Sequence, residues 1–509
     1  MNVSSWIDRW AARYPDKTAI RFKDRDYSYA TLADLVARQA AALHDEFGVR
    51  RGDRVAYLGL NRPEVFILML ACARLGALYL PLNWRLTPSE HAYILSNAEP
   101  AVLVAEQAFT DATSAILPGL SVMKCLVIGG SAEGWLSHED SLAATRSDFM
   151  PDPAVSYDDP LLLCYTSGTT GHPKGAILTQ NAVFYNAVNS THMHDLTSRD
   201  VILVTLPLFH VGGLNILGMP GLHAGATLIV HPSFDPAAVL ETIERERVTL
   251  TVLVPAQLRP IMALPRWQTA DLSSLRMITT GSVTVGEALI SAVHQRGVPV
   301  IQVYGSTETS PIAAYQRVDE AEAGIGSSGR CAVHCELAIV DDEGREVPVG
   351  VSGEILVRGP NVMIGYWRDP AMTAASLING WFKTGDVGHY DERGFLFIDD
   401  RKKDMIISGG ENIYPAILER ILAECADLAE AAVVGRSDPR WEEVAVAVVV
   451  PRPGARLSAA DILALFEGRI ARFAIPKDVL FVEALPKNAM GKVVKSELKI
   501  LVAGHLAAP

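Results

Sequence analysis

The chain has 509 residues, with 45 Lys and Arg against 58 Asp and Glu, for a net charge of −13. That balance disfavours binding to nucleic-acid phosphates or anionic membrane surfaces, both of which recruit clustered basic residues. At 49% hydrophobic and 20% charged residues, disordered, collagen-like and coiled-coil chains are excluded. Residues 1–10 contain no continuous apolar stretch of the signal-peptide kind. The longest apolar run, residues 65–73, is less than half of the ~20 residues a membrane-spanning helix needs. Six scattered cysteines (Cys72, Cys125, Cys164, Cys331, Cys335 and Cys425) read as reduced thiols, so a cytoplasmic protein without integral membrane association is expected.

Residues 31–47 place Ala and Leu at helical spacing and stop at Gly48. A strand at 54–59, a helix at 63–75 and a strand at 78–82 follow. Further strands are predicted at 101–104, 125–128, 161–165, 227–230, 249–254 and 298–303, with helices such as 236–247 between several of them. This alternation predicts an α/β fold, with a large N-terminal domain of mainly parallel sheets covered by helices. After about residue 325, the short turn-bounded segments 336–340, 353–358 and 394–399 predict a small β-rich subdomain. The charged run Asp400-Arg401-Lys402-Lys403-Asp404 is too polar for a core and reads as a crossing between domains. A helix at 415–424, strands at 429–434 and 444–450, and a helix at 459–470 then form a small, mobile α+β C-terminal domain. The predicted division is 1–399, a hinge at 400–403, and 404–509.

The densest chemical signal is Tyr165-Thr166-Ser167-Gly168-Thr169-Thr170-Gly171-His172-Pro173-Lys174-Gly175, directly behind an apolar strand. Glycines let backbone N–H groups turn toward an anion, hydroxyls add donors, and Lys174 adds a mobile positive charge for terminal phosphates. It is not the GxxxxGK[ST] form, so it is a phosphate loop of another kind. This segment resembles the signature loop of the adenylate-forming superfamily, which holds acyl-CoA synthetases, luciferases and peptide-synthetase adenylation domains. Other stations of that family follow in order: Pro207-Leu-Phe-His210, Tyr304-Gly305-Ser306-Thr307-Glu308, and Trp381-Phe-Lys-Thr-Gly385-Asp386. Asp400-Arg401-Lys402-Lys403-Asp404 with Ser408-Gly409-Gly410 resembles the family's hinge and glycine loop, and Pro486 to Lys492 its C-terminal lysine motif. Met490 departs from the Thr common in relatives but leaves Lys492 in place.

The resemblance implies an ATP-dependent acid:CoA ligase that forms an acyl-AMP, then a thioester, releasing AMP and pyrophosphate. Bringing a carboxylate to a phosphate joins two anions, so cations and N–H donors must offset the repulsion. Lys492 is assigned that role at the reacting carboxylate. Glu308 has the hard oxygen that Mg²⁺ prefers, and Thr307 is placed to donate to a phosphate. Tyr304 offers a face for adenine, with Gly281, Ser282 and Gly305 beside it as nucleotide-binding residues. Asp386 suits both ribose hydroxyls, reinforced by Arg401. Ser408, Gly409 and Gly410 allow close approach of the pantetheine arm of CoA, Lys403 is the pivot, and His210 lies near the acyl carboxylate. The expected pocket segments 209–217, 280–284 and 306–315 are mostly apolar and lack arginine, which favours an uncharged fatty or aryl acid.

Several features carry less. Gly324-Ile325-Gly326-Ser327-Ser328-Gly329 satisfies GxGxxG, but no apolar strand precedes it and no helix is expected after it. His192 and His194 read as a solvated turn, and Cys331, His334 and Cys335 lack a fourth metal ligand. A stand-alone enzyme loading a carrier protein is the alternative; no carrier domain follows in the sequence, and 206–214 lacks the acidic residue that amino-acid substrates require. The partners expected are a small carboxylic acid, ATP and CoA. Oligomeric state stays open, a homodimer included.

Overall fold

Every residue of the helix Pro63–Leu75 except Glu64 is buried, and Gly76 ends it in the left-handed conformation (φ +66°). The longest apolar run of the sequence is therefore a central core helix. The computed structural model of the chain describes residues 1–506 except 121–123, 151, 167–172, 282–284, 403, 409–410, 440, 468, 471, 473 and 489–491. The chain forms two units. The first comprises Met1–Val285, Leu289–Leu337 and Val357–Phe382, and the second Gly286–Ala288, Ala338–Leu356 and Lys383–Pro509.

Two large sheets dominate the first unit. In one, the parallel strands Thr227–Val230, Val201–Val204, Leu250–Val252, Met277–Gly281 and Val300–Tyr304 lie side by side in that order. Such strands are covered by helices on both faces, which is why they read as short unbroken apolar runs. The other sheet places Pro160–Thr166 beside Leu78–Leu82, followed by Arg54–Leu58, Val102–Glu106 and Lys124–Ile128. A single core joins both sheets to the helices Tyr29–Ala41, Pro63–Leu75 and Gln180–His194. The helix expected over 31–47 is α-helical only to Ala41 and continues as a π-turn, Ala42–Glu46, before Gly48 at φ +71°. No described helix is long and apolar enough to cross a membrane.

His194 corrects the sequence reading. It is not in a solvated turn but ends the helix Gln180–His194, fully buried. Its Nε2 pairs with Thr279 Oγ1 at 2.8 Å and its Nδ1 with the Ser190 carbonyl at 2.9 Å, which is what makes burial tolerable. Burial pulls its pKa down to about 4. The folded ring is therefore neutral where an unfolded histidine, near 6.5, takes up a proton. This contribution is complete above about pH 6.5 and is lost as pH falls toward 4, on the order of 3 kcal/mol. Urea unfolding across that window should show a shallower loss of stability for His194→Gln than for the parent. Equal slopes would remove His194 as the cause.

The second unit carries its own mixed sheet: Glu411–Ile413, Ile406–Ser408, Glu442–Pro451 and Leu428–Asp438 pair antiparallel, and Asp478–Phe481 joins Glu442–Pro451 in parallel. The helices Pro415–Ala423 and Ala459–Ala464 contribute Leu418, Leu422 and Ile462 to one core, and Lys495–Leu506 gives Leu498 and Val502 to another. The helix predicted to reach 470 stops at Ala464, although Phe466 beyond it is fully buried. The charged run at 400–404 is also not wholly external. Asp400 ends up buried in the strand Leu396–Arg401, where the N–H groups of Ala416 (2.8 Å) and Arg401 (2.6 Å) donate to its carboxylate. Burial raises its pKa, opposed by the ammonium of Lys495, itself paired with Glu419 at 2.9 Å.

Candidate active site

The strands Pro160–Thr166 and Lys174–Thr179 are antiparallel neighbours, with Thr166 opposite Lys174 and Tyr165 opposite Gly175. The predicted phosphate loop thus lies between two antiparallel strands. Ser167, Gly168, Thr169, Thr170 and Gly171 lie outside the described residues. At the mouth of the hairpin, Thr166 Oγ1 donates to the Lys174 carbonyl at 3.4 Å. The Lys174 ammonium stands 5.9 Å from the centre of the Tyr366 ring. Tyr366 OH in turn donates to Glu308 Oε1 at 2.9 Å. Burial, and then the Glu308 carboxylate, raise the pKa of Tyr366 and keep it a hydrogen-bond donor.

Backbone pairing explains why these three groups meet. The short strand Gly365–Tyr366 lies antiparallel on Ala176 and Ile177, and Trp367 N–H donates to the Gly175 carbonyl at 2.7 Å. Met363 N–H reaches the Glu308 carbonyl at 2.8 Å. Asn361, fully buried, donates to the carbonyls of Thr309 (2.7 Å) and Ile312 (2.9 Å), which fixes the far side of the same turn. Thr307–Thr309 form a 3₁₀ turn after the buried Tyr304, with Thr307 buried and Glu308 half-buried. Gly305 takes φ +156°, and a Cβ there would stand 1.6 Å from the Pro311 carbonyl oxygen. At Gly281, the end of the adjacent strand, a Cβ would meet the Val303 oxygen at 2.6 Å. Ser282 lies outside the described residues.

His210 opens a short helix, Val211–Gly213, and its half-buried ring accepts from Gly212 N–H at 3.5 Å. Gly213 is held close to the preceding chain, since a Cβ would meet the Pro207 carbonyl at 2.3 Å. Asn61 brackets this segment by donating to the Leu206 carbonyl (2.9 Å) and accepting from Leu208 N–H (2.8 Å). The guanidinium of Arg85 lies 5.9 Å from the centre of the Phe209 ring.

In the second unit, Asp386 is buried and its Oδ1 pairs with Arg401 Nε at 2.6 Å, the two residues facing each other across an antiparallel ladder. Thr384 Oγ1 accepts from Asp386 N–H at 3.0 Å, fixing the turn of the carboxylate. Lys492 comes to the same place. Partial desolvation by its surroundings lowers its pKa, and repulsion from Arg401 acts in the same direction while Asp386 opposes. Asn488 holds the backbone of Lys492 through Oδ1 (3.0 Å) and N–H (2.9 Å). Ser408 is buried at the end of the strand Ile406–Ser408, opposite Glu411. Lys403, Gly409 and Gly410 lie outside the described residues, as do Met490 and Gly491.

The profile of the AMP-binding enzyme family matches residues 7–367, and that of the AMP-binding enzyme C-terminal domain matches residues 418–492. The chain belongs to the AMP-binding enzyme family. It is 56% identical over 503 residues to the indoleacetate–CoA ligase of Aromatoleum aromaticum, covering 99% of this chain and 98% of that one. Identity to the feruloyl-CoA synthase of an Amycolatopsis species is 41%, covering 98% of both chains. The structure of ATP-bound MatB from Rhodopseudomonas palustris matches with a TM-score of 0.90 at 32% identity, covering 99% of each chain.

This AMP-binding enzyme is an AMP-forming acid:CoA ligase whose substrates are a small acid, ATP and CoA. Loading of a carrier protein is not favoured. Of the predicted residues, Thr166, Lys174, Tyr304, Gly305, Thr307 and Glu308 gather around the hairpin and the 3₁₀ turn, and Asp386, Arg401 and Lys492 form a second group. Tyr366, Asn361 and Asn61 escaped the sequence reading. Tyr366 stands in Gly365-Tyr366-Trp367, a glycine with two aromatics ahead of a helix, and only the strand register ties it to Glu308. In the GxGxxG stretch a Cβ at Gly329 would overlap the Tyr315 carbonyl at 2.0 Å, so close packing accounts for that glycine.

Proposed function

We propose that the acid is an arylacetate of the indole-3-acetate kind, joined to CoA through an acyl-adenylate with Mg²⁺ as the metal. The observation that carries the choice of acid is the similarity, over nearly the whole chain, to a protein named indoleacetate–CoA ligase. The lack of Arg and Lys in segments 209–217 and 306–315 supports an uncharged ring over a second carboxylate.

In the first half-reaction a carboxylate oxygen attacks the α-phosphorus of ATP, the bond to pyrophosphate breaks, and an acyl-AMP results. Lys174 and its hairpin turn hold the outer phosphates, Thr307 donates to a phosphate oxygen, and Tyr304 with Gly281, Ser282 and Gly305 receives adenine. Asp386, oriented by Arg401, accepts the ribose hydroxyls. Lys492, beside Asp386 and Arg401, offsets the charge where carboxylate meets phosphate. Glu308 suits a hard cation, because it is a half-buried carboxylate with one oxygen engaged by Tyr366. Bound there, Mg²⁺ would neutralise phosphate charge. In the second half-reaction the CoA sulfur attacks the acyl carbon, AMP leaves, and the thiol proton passes to solvent. Ser408, Gly409 and Gly410 serve the pantetheine arm, Lys403 is the pivot between the two half-reactions, and His210 attends the acyl carboxylate.

Thioester formation with indole-3-acetate, phenylacetate, ferulate and dodecanoate tests the choice of acid. Indole-3-acetate should exceed ferulate and dodecanoate by about tenfold or more in kcat/KM. A fatty acid as the best substrate would overturn it.

A further inference from the structure

Two of the expected acyl-pocket segments, 209–217 and 306–315, meet at a buried polar cluster in the first unit. The π-turn Leu214–Gly218 leaves backbone carbonyls outside a regular helix, and the helix Gln180–His194 takes them up. Asn186 Nδ2 donates to the Asn215 carbonyl and Ser190 Oγ to the Ile216 carbonyl, both at 2.6 Å. Asn186 Oδ1 accepts from Ile312 N–H at 3.0 Å, tying the 306–315 segment to the same helix. Thr279, one residue before the third segment, is held by His194. The backbone at Asn215 is thus fixed by its neighbours, and its side chain is not spent on that task.

That side chain is fully buried. Its Nδ2 lies 3.5 Å from Ser310 Oγ, which turns the oxygen end of the amide away from Ser310. The Oδ1 atom has no hydrogen-bond partner among the described residues. Its neighbours in sequence Val211, Leu214, Ile216 and Leu217 are all buried. A buried acceptor left unpaired is costly, and a donor carried by the ligand would relieve that cost. Fatty acyl chains and unsubstituted carbocyclic rings bring none; an indole ring brings one N–H.

We infer that Asn215 Oδ1 accepts the ring N–H of the acid and so selects nitrogen-heteroaryl acetates over rings of the same shape without that donor. The inference rests on the arylacetate reading and deepens it. The test compares kcat/KM for indole-3-acetate, 1-benzofuran-3-acetate and 1-methylindole-3-acetate. The parent enzyme should favour indole-3-acetate over the benzofuran by about tenfold or more. In Asn215→Leu the ratio should fall to within about twofold, carried mainly by KM for indole-3-acetate. Should Asn215→Leu not accumulate as folded protein, Asn215→Ser, too short to reach the ring, must lower the ratio likewise. A parent ratio near one, or a ratio that either variant preserves, overturns the inference while leaving the arylacetate reading intact. Failure to form a thioester from any of the three acids overturns that reading and the inference with it.

Discussion

Lys492→Ala should lower acid-dependent pyrophosphate–ATP exchange by ~10²–10³-fold or more, yet leave thioester formation from supplied acyl-adenylate near the parent rate. The expectation follows from when its charge is needed. A carboxylate and a triphosphate repel each other only while the new anhydride forms, and the ammonium stands beside Asp386 and Arg401, where the nucleoside is assigned. Once the adenylate exists, a neutral thiol approaches a neutral acyl carbon, and that charge has no further task. Lys492→Arg should recover only part of the first activity, because a planar fork does not replace a compact ammonium. Comparable losses in both half-reactions would defeat this assignment.

The second large effect is expected at Glu308. Glu308→Gln keeps an oxygen able to accept from Tyr366 but removes the negative charge that suits a divalent cation. Adenylate formation should fall by about 10²-fold, with the Mg²⁺ concentration for half-maximal rate rising. Tyr366→Phe removes only the hydroxyl, leaves the carboxylate charged, and should cost about tenfold or less. Titrating Mg²⁺ against the rate in both variants separates charge from orientation. A Glu308→Gln enzyme with parental Mg²⁺ dependence would show that the carboxylate holds no metal.

Much of this was readable from residues alone where local pattern and tertiary role coincide. The helix Pro63–Leu75 and the strands Leu78–Leu82 and Thr227–Val230 fall where apolar runs, Pro and Gly punctuation place them. Asp386 and Arg401 were paired in advance because a carboxylate and a guanidinium suit one hydroxylated ligand. The misses have a common cause in long-range pairing. His194 is polar by composition, and nothing local tells that Thr279, far along the chain, pairs with it inside a core. Asp400 stands in a run of charges, but a strand register and a helix N–H bury it. Tyr366 reaches the Glu308 side chain and Asn361 the Thr309 carbonyl, each more than fifty residues away, which no periodicity records.

The placement of Gly365–Tyr366 also bears on how the enzyme matures during translation. Until residue 367 leaves the ribosome, the Lys174–Thr179 strand has a bare edge, and Glu308 lacks both the Met363 amide and the Tyr366 hydroxyl. A nascent chain arrested before that point would therefore carry an unbraced Glu308, however completely its earlier strands had already assembled.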